Sequence, residues 1–167
     1  MCMEKREPIK RSKALVSLSR EHHDGLLLCW KIRFGIKNNI DPVRILTYVL
    51  YQWDCHLKEH FRKEEEYAFI LVPKTDEMRI EAQAQHENLR QSITKLTTQP
   101  GYILLNSFAA DLEKHIRFEE RVLFGHIEST SDEATLTKLS FILSEDRKRE
   151  EEEWKDNFWL KDNQYVL

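Results

Sequence analysis

Histidine and glutamate recur in this chain at a spacing that places them on one helix face. His115-Ile-Arg-Phe-Glu119-Glu120 and the earlier His60-Phe-Arg-Lys-Glu64-Glu65 each put an imidazole four residues before a carboxylate. On an α-helix those two side chains lie one above the other. Imidazole nitrogen and carboxylate oxygen are donors that iron, manganese and zinc accept from proteins. One such pair arises by chance on many polar helix faces. Two near-identical copies in one short chain point to a shared metal site, provided the intervening elements bring them together.

Those elements read as helices. Hydrophobic residues make up 41% and charged residues 33% of the chain, with four glycines and four prolines. So few breakers among so much Glu, Lys, Arg and Leu favour long helices over a sheet. A first helical pattern starts near Ser12 or Lys13 and runs to about Lys37, with Leu15, Leu18, His22, Leu26, Cys29 and Ile36 near one face. Asp41-Pro42 then supplies an N-cap and a proline at the first helical position. The second helix continues to about Val72 with an inward stripe of Val49, Trp53, His56, His60, Glu64 and Tyr67. A third starts after Pro73 and carries Ala82, His86, Leu89, Ile93 and Leu96. It ends by Gln99-Pro100-Gly101. The fourth runs to about Glu128 on Phe108, Leu112, His115, Glu119 and Val122. Thr130-Ser-Asp-Glu133 is a capping-box signature that opens a fifth helix to about residue 156. The charge run 145–153 reads as a solvated helix face.

Short connections force sequence-adjacent helices to lie antiparallel, and this permits a test of depth. His60 lies thirteen residues before Pro73 and His86 thirteen after it; His86 lies fourteen before Pro100 and His115 fifteen after it. At about 1.5 Å per residue these three are level to within roughly 2 Å. His22 is offset from His60 by roughly one helical turn across the break near Asn39. Each of four helices therefore presents a histidine at similar depth on its apolar stripe. A glutamate on such a stripe is buried, and an unpaired buried charge is too costly to keep. A cation shared by Glu64, Glu119 and the imidazoles removes that cost.

At 167 residues and 20.1 kDa, the size prior is a single domain over 1–167, with the bundle at 12–128 and a C-terminal helical extension at 130–167. A net charge of −3 gives no reason to expect nucleic acid or an anionic membrane as partner. Cys2, Cys29 and Cys55 form no CxxC and read as reduced thiols. No secretory signal and no eighteen-residue apolar run is visible, so a cytoplasmic protein is expected.

The ordered motifs also resemble a known family. Arg20-Glu21-His22, His60-Phe-x-x-Glu64-Glu65, His86-Glu and His115-Ile-x-x-Glu119-Glu120, followed by Leu123-Phe124 and Ile127-Glu128, look like the hemerythrin-like (HHE cation-binding) family over about 12–128. The resemblance implies an all-α, up-down-up-down antiparallel four-helix bundle, here with an additional C-terminal helix. It implies two carboxylate-bridged non-haem iron ions, with Zn or Mn as other candidate metals. His22, His60, His86 and His115 would be terminal ligands and Glu64 and Glu119 bridges. Six protein ligands leave such a pair unsaturated, so O2, NO or peroxide is the implied small ligand.

The chain also departs from the oxygen carriers of that family. They carry a further histidine one turn before the third-helix ligand, where this chain has Ala82. They use a carboxylate five residues after the fourth-helix histidine, which would be Glu120; the 112-115-119-122 stripe favours Glu119. The four-His, two-Glu set resembles the members tied to repair of iron centres or to iron and redox sensing.

Several positions stay open at this stage. His22 is preferred to its neighbour His23, since Leu18 precedes it by one turn. His56 points roughly toward His60, and His126 lies beyond the ligand layer as a surface or cap residue. Trp53, Phe61, Tyr67 and Phe118 read as packing around the site, and Trp30, Trp154, Phe158 and Trp159 as structural. Trp154 and Phe158 would dock the fifth helix across the bundle or serve a homodimer.

Three functions compete: a di-iron module that binds or senses O2, NO or peroxide or handles iron; an oxidoreductase or iron–sulfur repair protein; and a metal-free helical interaction protein. A ferritin-like bundle would need Glu-x-x-His on two helices, whereas here His precedes Glu.

Overall fold

The computed structural model describes residues 11–145 and 154–160. Among them the chain forms five helices and no strand. Helix α1 is Val16–Lys37. Helix α2 spans 42–71 and is a composite rod: α-helical turns at Pro42–Gln52 and Lys58–Lys63 alternate with π-turns at Trp53–Leu57 and Glu64–Ala68, before a final 3-10 turn. Helix α3 is Glu77–Thr98. Helix α4 spans 102–130, with a π-turn at Glu119–Leu123 in its middle. Helix α5 is Glu133–Glu145.

The caps explain the boundaries. Asp41 accepts from the backbone N–H of Val43 and Arg44, with Pro42 at the first helical position, as the sequence predicts. Asp76 does the same for Met78 and Arg79 at the start of α3. Helix α1 closes through Asn39, whose positive φ of 55° is a conformation asparagine tolerates. The predicted fifth-helix capping box is corrected in detail. Asp132 accepts from the Thr135 N–H, whereas the Thr130 hydroxyl turns back to the His126 carbonyl.

Neighbouring rods run antiparallel, as residue pairs from end to end demonstrate. Along α1 and α4, Ser12 meets Glu128 and Ile40 meets Tyr102. Along α2 and α3, Val72 meets Arg79 and Glu65 meets both His86 and Arg90. Along α3 and α4, Asp76 meets His126 and Asn88 meets Asp111.

The apolar interior is split. One cluster includes Leu28, Ile32, Val49, Phe61, Leu96 and Phe108. The other includes Leu18, Phe69, Leu123, Phe124, Leu139 and Leu143, the last two contributed by α5. Between them lies a buried polar layer of His22, His60, Glu64, His86, His115 and Glu119.

Three stripe positions on α2 and α4 differ from the sequence expectation, each by one residue and each at a π-turn. Val122 is 39% exposed whereas Leu123 is fully buried. Tyr67 is half-buried and Ala68 takes the inward place; His56 is half-buried against Tyr51 and Leu57 takes its place. In each π-turn an N–H reaches back five residues rather than four: Lys58 to Trp53, Phe69 to Glu64, and Phe124 to Glu119. The extra residue delays the next inward side chain by one. On α1, too, the inward stripe passes through Gly25, Leu28, Ile32 and Gly35, while Leu26 and Ile36 are only partly buried.

The fifth helix does not reach residue 156: Trp154 to Leu160 is irregular, and most of the charge run 145–153 lies outside the described residues. Trp154 and Phe158 nevertheless dock on the bundle, through Tyr48 of α2. Trp30, expected to be structural, is 50% exposed beside Phe34 on the outer face of α1.

Gly35 admits this docking. A Cβ there would lie 2.7 Å from Ile45 Cδ1, 2.9 Å from its Cγ1 and 3.0 Å from the Phe158 ring. Gly35→Ala is therefore expected to destabilise the protein by ~1–3 kcal/mol through overpacking. Urea unfolding checks this, and adding Ile45→Val is expected to recover part of the loss.

Candidate metal centre

Each histidine reaches the polar layer from a different helix: His22 from α1, His60 from α2, His86 from α3 and His115 from α4. Glu64 and Glu119 lie one turn beyond His60 and His115, at the start of a π-turn. The sequence-predicted six converge. One ligand-type atom from each of His22, His60, Glu64 and Glu119 lies within 4.8 Å of the others, and the same holds for Glu64, His86, His115 and Glu119. The two groups share both carboxylates, which is the arrangement of a binuclear metal site. His23 is exposed and His56 belongs to neither group. His126 pairs with Asp76 at 2.7 Å, pinning the start of α3 to α4.

The outward nitrogens decide how the rings face. Nδ1 of His22 donates to Glu120 Oε1 at 2.7 Å, and Nδ1 of His60 to Glu21 Oε2 at 2.8 Å. Nδ1 of His86 donates to Glu65 Oε1 at 2.7 Å, and Nδ1 of His115 to Gln85 Oε1 at 3.0 Å. Carboxylate and amide oxygens only accept, so these bonds place a proton on each Nδ1 and leave Nε2 as the nitrogen that faces inward. Nε2 of His22 is 3.0 Å from Glu119 and 3.3 Å from Glu64; Nε2 of His60 is 3.1 Å from Glu64. Nε2 of His86 lies 3.2 Å from Glu64, and Nε2 of His115 lies 3.3 Å from Glu119. The two Nε2 atoms of His86 and His115 face each other at 3.0 Å. Such a meeting of lone pairs is repulsive without a cation or a proton between them.

The layer fits a cation on a second count. Both oxygens of Glu119, Oε2 of Glu64 and Nε2 of His60 are buried without a hydrogen-bond partner. Glu64, Glu119, His86 and His115 are each 0% exposed. Aromatic walls keep the pocket apolar: His86 is stacked between Phe61 (3.9 Å between centroids) and Phe69 (5.3 Å), and His22 stacks on Phe124 at 5.3 Å. Uncompensated acceptors in a dry pocket are a donor set for positive charge.

A family model for the hemerythrin HHE cation-binding domain matches residues 18–127. The chain belongs to that family. No curated protein and no solved structure matches it. For this HHE domain, the match and the geometry bear on the same stretch, because all six convergent side chains fall within it.

Electrostatics inside the HHE pocket favour protons on some rings and not on others. Burial lowers His86, but the adjacent carboxylate of Glu64 and the hydrogen bond to Glu65 outweigh it and raise it to about 9. Burial likewise lowers His22, yet Glu119, Glu120 and Glu64 hold it well above its ordinary value. His115 is driven well below the usual range by burial and by the neighbouring His86. Burial and the charge of Glu64 push Glu119 up to about 7. For Glu64 burial acts upward, but the close imidazoles of His60, His22 and His86, the charge of His60 foremost, hold it well below the carboxylate range.

The sequence reading missed the outer ring of acceptors. Glu21, Glu65, Gln85 and Glu120 were visible as neighbours of the six, but their roles were not. The signal is positional: each acceptor is adjacent in sequence to a pocket residue, yet it serves a histidine on another helix. Three are in turn braced by cations, Glu120 by Arg11 at 2.9 Å, Glu65 by Arg90 at 2.7 Å and Glu21 by Lys63 at 3.4 Å.

A cation entering this pocket must displace the protons held on the raised rings, because it binds the deprotonated imidazole. Net proton release is therefore expected on Zn(II) binding, read by calorimetry in buffers of different ionisation enthalpy. Raising the pH removes the competitor, so apparent affinity is expected to climb from acid toward pH about 9, where His86 loses its proton. A pH-independent affinity would contradict this.

Proposed function

We propose that the chain is a non-haem di-iron protein that binds or senses O2, NO or peroxide, or handles iron. In this reading His22 and His60 hold one metal and His86 and His115 the other, with Glu64 and Glu119 bridging. The observation that carries it is the aim of the four imidazoles: every Nδ1 is engaged outward, so four Nε2 atoms converge on two buried carboxylates. When bound, an iron pair in this six-ligand set supplies open coordination positions for a small ligand and electrons that two metals can give together.

The chain's own residues define the rest of the role. Glu21, Glu65, Gln85 and Glu120 set the ring orientations and raise the basicity of the donors. Phe61, Phe69 and Phe124 line the rings and exclude bulk water. Lys63 and Arg11, both largely buried at their side chains, neutralise the outer carboxylates and so limit the negative charge accumulated around the site. A pocket this enclosed admits a diatomic molecule or peroxide far more readily than a large substrate, which favours binding or sensing over turnover of a bulky one.

Metal content tests the proposal. Wild-type protein loaded with iron is expected to hold two metal ions per chain, with Zn and Mn measured alongside. His60→Ala and Glu119→Ala are each expected to lower occupancy while the far-ultraviolet spectrum stays helical, and His22→Ala to do so where His23→Ala does not. Occupancy unchanged in His60→Ala and Glu119→Ala would refute the ligand set. A wild type that takes up no metal would favour a helical interaction protein.

A further inference from the structure

The outer ring of acceptors is built to a pattern with one break in it. Helices α1 and α2 contribute His22, then His60 with Glu64 and Glu65; helices α3 and α4 contribute His86, then His115 with Glu119 and Glu120. The two halves correspond residue by residue. Glu65 and Glu120, each following a bridging-type glutamate, serve His86 and His22. Glu21 and Gln85, each preceding the first histidine of its half, serve His60 and His115. Three of the four acceptors are carboxylates; only Gln85 is an amide.

The break is oriented, not incidental. Gln85 Nε2 donates to Glu81 Oε1 at 2.7 Å, which turns Oε1 toward His115. The amide therefore accepts from Nδ1 as a carboxylate would, but without its charge. Its bond is also the longest of the four, at 3.0 Å against 2.7 to 2.8 Å.

A second feature acts in the same direction. Glu65 gives the same oxygen, Oε1, to His86 and to Arg90. Glu120 and Glu21 divide the labour: Oε1 of Glu120 faces His22 while Oε2 holds Arg11, and Oε2 of Glu21 faces His60 while Oε1 holds Lys63. Both acceptors on the His86 and His115 side are thus poorer electron donors than their counterparts.

We infer that Gln85 makes the two metal positions unequal, so that the position held by His22 and His60 fills first and the one held by His86 and His115 second. This rests on the di-iron reading above and concerns how that centre is loaded. The physical reason is that a carboxylate on Nδ1–H makes the imidazole a stronger donor through Nε2, and losing such a partner typically costs about 10–100-fold in metal affinity. A neutral acceptor retains the orientation and part of the effect, so the gap is expected near its lower end, about tenfold.

The experiment is titration of Co(II) into metal-stripped full-length chain, followed by calorimetry and visible absorption. Two resolved steps of one equivalent each are expected, with affinities about tenfold apart. His60→Ala is expected to remove the tighter step and His115→Ala the weaker. Gln85→Glu, at a position only partly buried, is expected to tighten the weaker step by about tenfold, and Glu21→Gln to weaken the tighter step by a similar factor. Gln85→Ala is expected to weaken the second step further. Opposite shifts at one position separate donor strength from packing, since a purely structural role would make both substitutions harmful. Two equal steps, a reversed order, or a gap that Gln85→Glu leaves unchanged would overturn the inference while two bound ions still uphold the di-iron reading. A folded chain that binds no cobalt would overturn both.

Discussion

Two glutamates with no exposed surface sit in the middle of an apolar bundle, and the rest of the structure answers to that constraint. A buried carboxylate without compensation costs more than a domain of this size has to spare. Here Glu64 and Glu119 are ringed by four imidazole nitrogens at 3.0 to 3.3 Å, and part of their oxygen capacity stays unsatisfied within the protein. Positive charge in the pocket relieves both carboxylates together. The two apolar clusters above and below the layer make that requirement stricter by excluding water from either end.

The histidines do not point inward by packing alone. Each is held by an acceptor from a neighbouring helix, and the four bonds form a closed circuit. Glu21 of α1 holds His60 of α2, and Glu65 of α2 holds His86 of α3. Gln85 of α3 holds His115 of α4, and Glu120 of α4 returns to His22 of α1. The circuit ties four rods together at the level of the site and fixes every ring tautomer in one network. Orientation of the donors and cohesion of the bundle are consequently the same set of contacts.

Backbone irregularity serves the same end. Both pocket glutamates open a π-turn, and the residue that follows each of them is one of the outer acceptors. The two consecutive glutamates address different atoms: Glu64 faces the inner nitrogens of several rings, and Glu65 the outer nitrogen of His86. Such turns are rare and concentrate at functional sites. Their cost is a one-residue slip in the apolar pattern downstream, visible as Leu123 buried in place of Val122 and Ala68 in place of Tyr67.

Much of this protein is legible in its residue order. Helical class, the Asp41 and Pro42 start, the α3 stripe from Ala82 to Leu96, and the common depth of His60, His86 and His115 follow from periodicity and breakers, because these are counted along the rods. The count leaves His22 about one turn off, and the packed bundle brings it level. What the order of residues leaves undecided is relational. The slips at π-turns, the close approach at Gly35, the irregular path of Trp154 to Leu160, and the assignment of Glu21, Glu65, Gln85 and Glu120 to histidines on other helices depend on how rods pack against each other. A hydrogen bond between helices has no signature in the spacing within either, so only the assembled bundle shows which acceptor serves which ring.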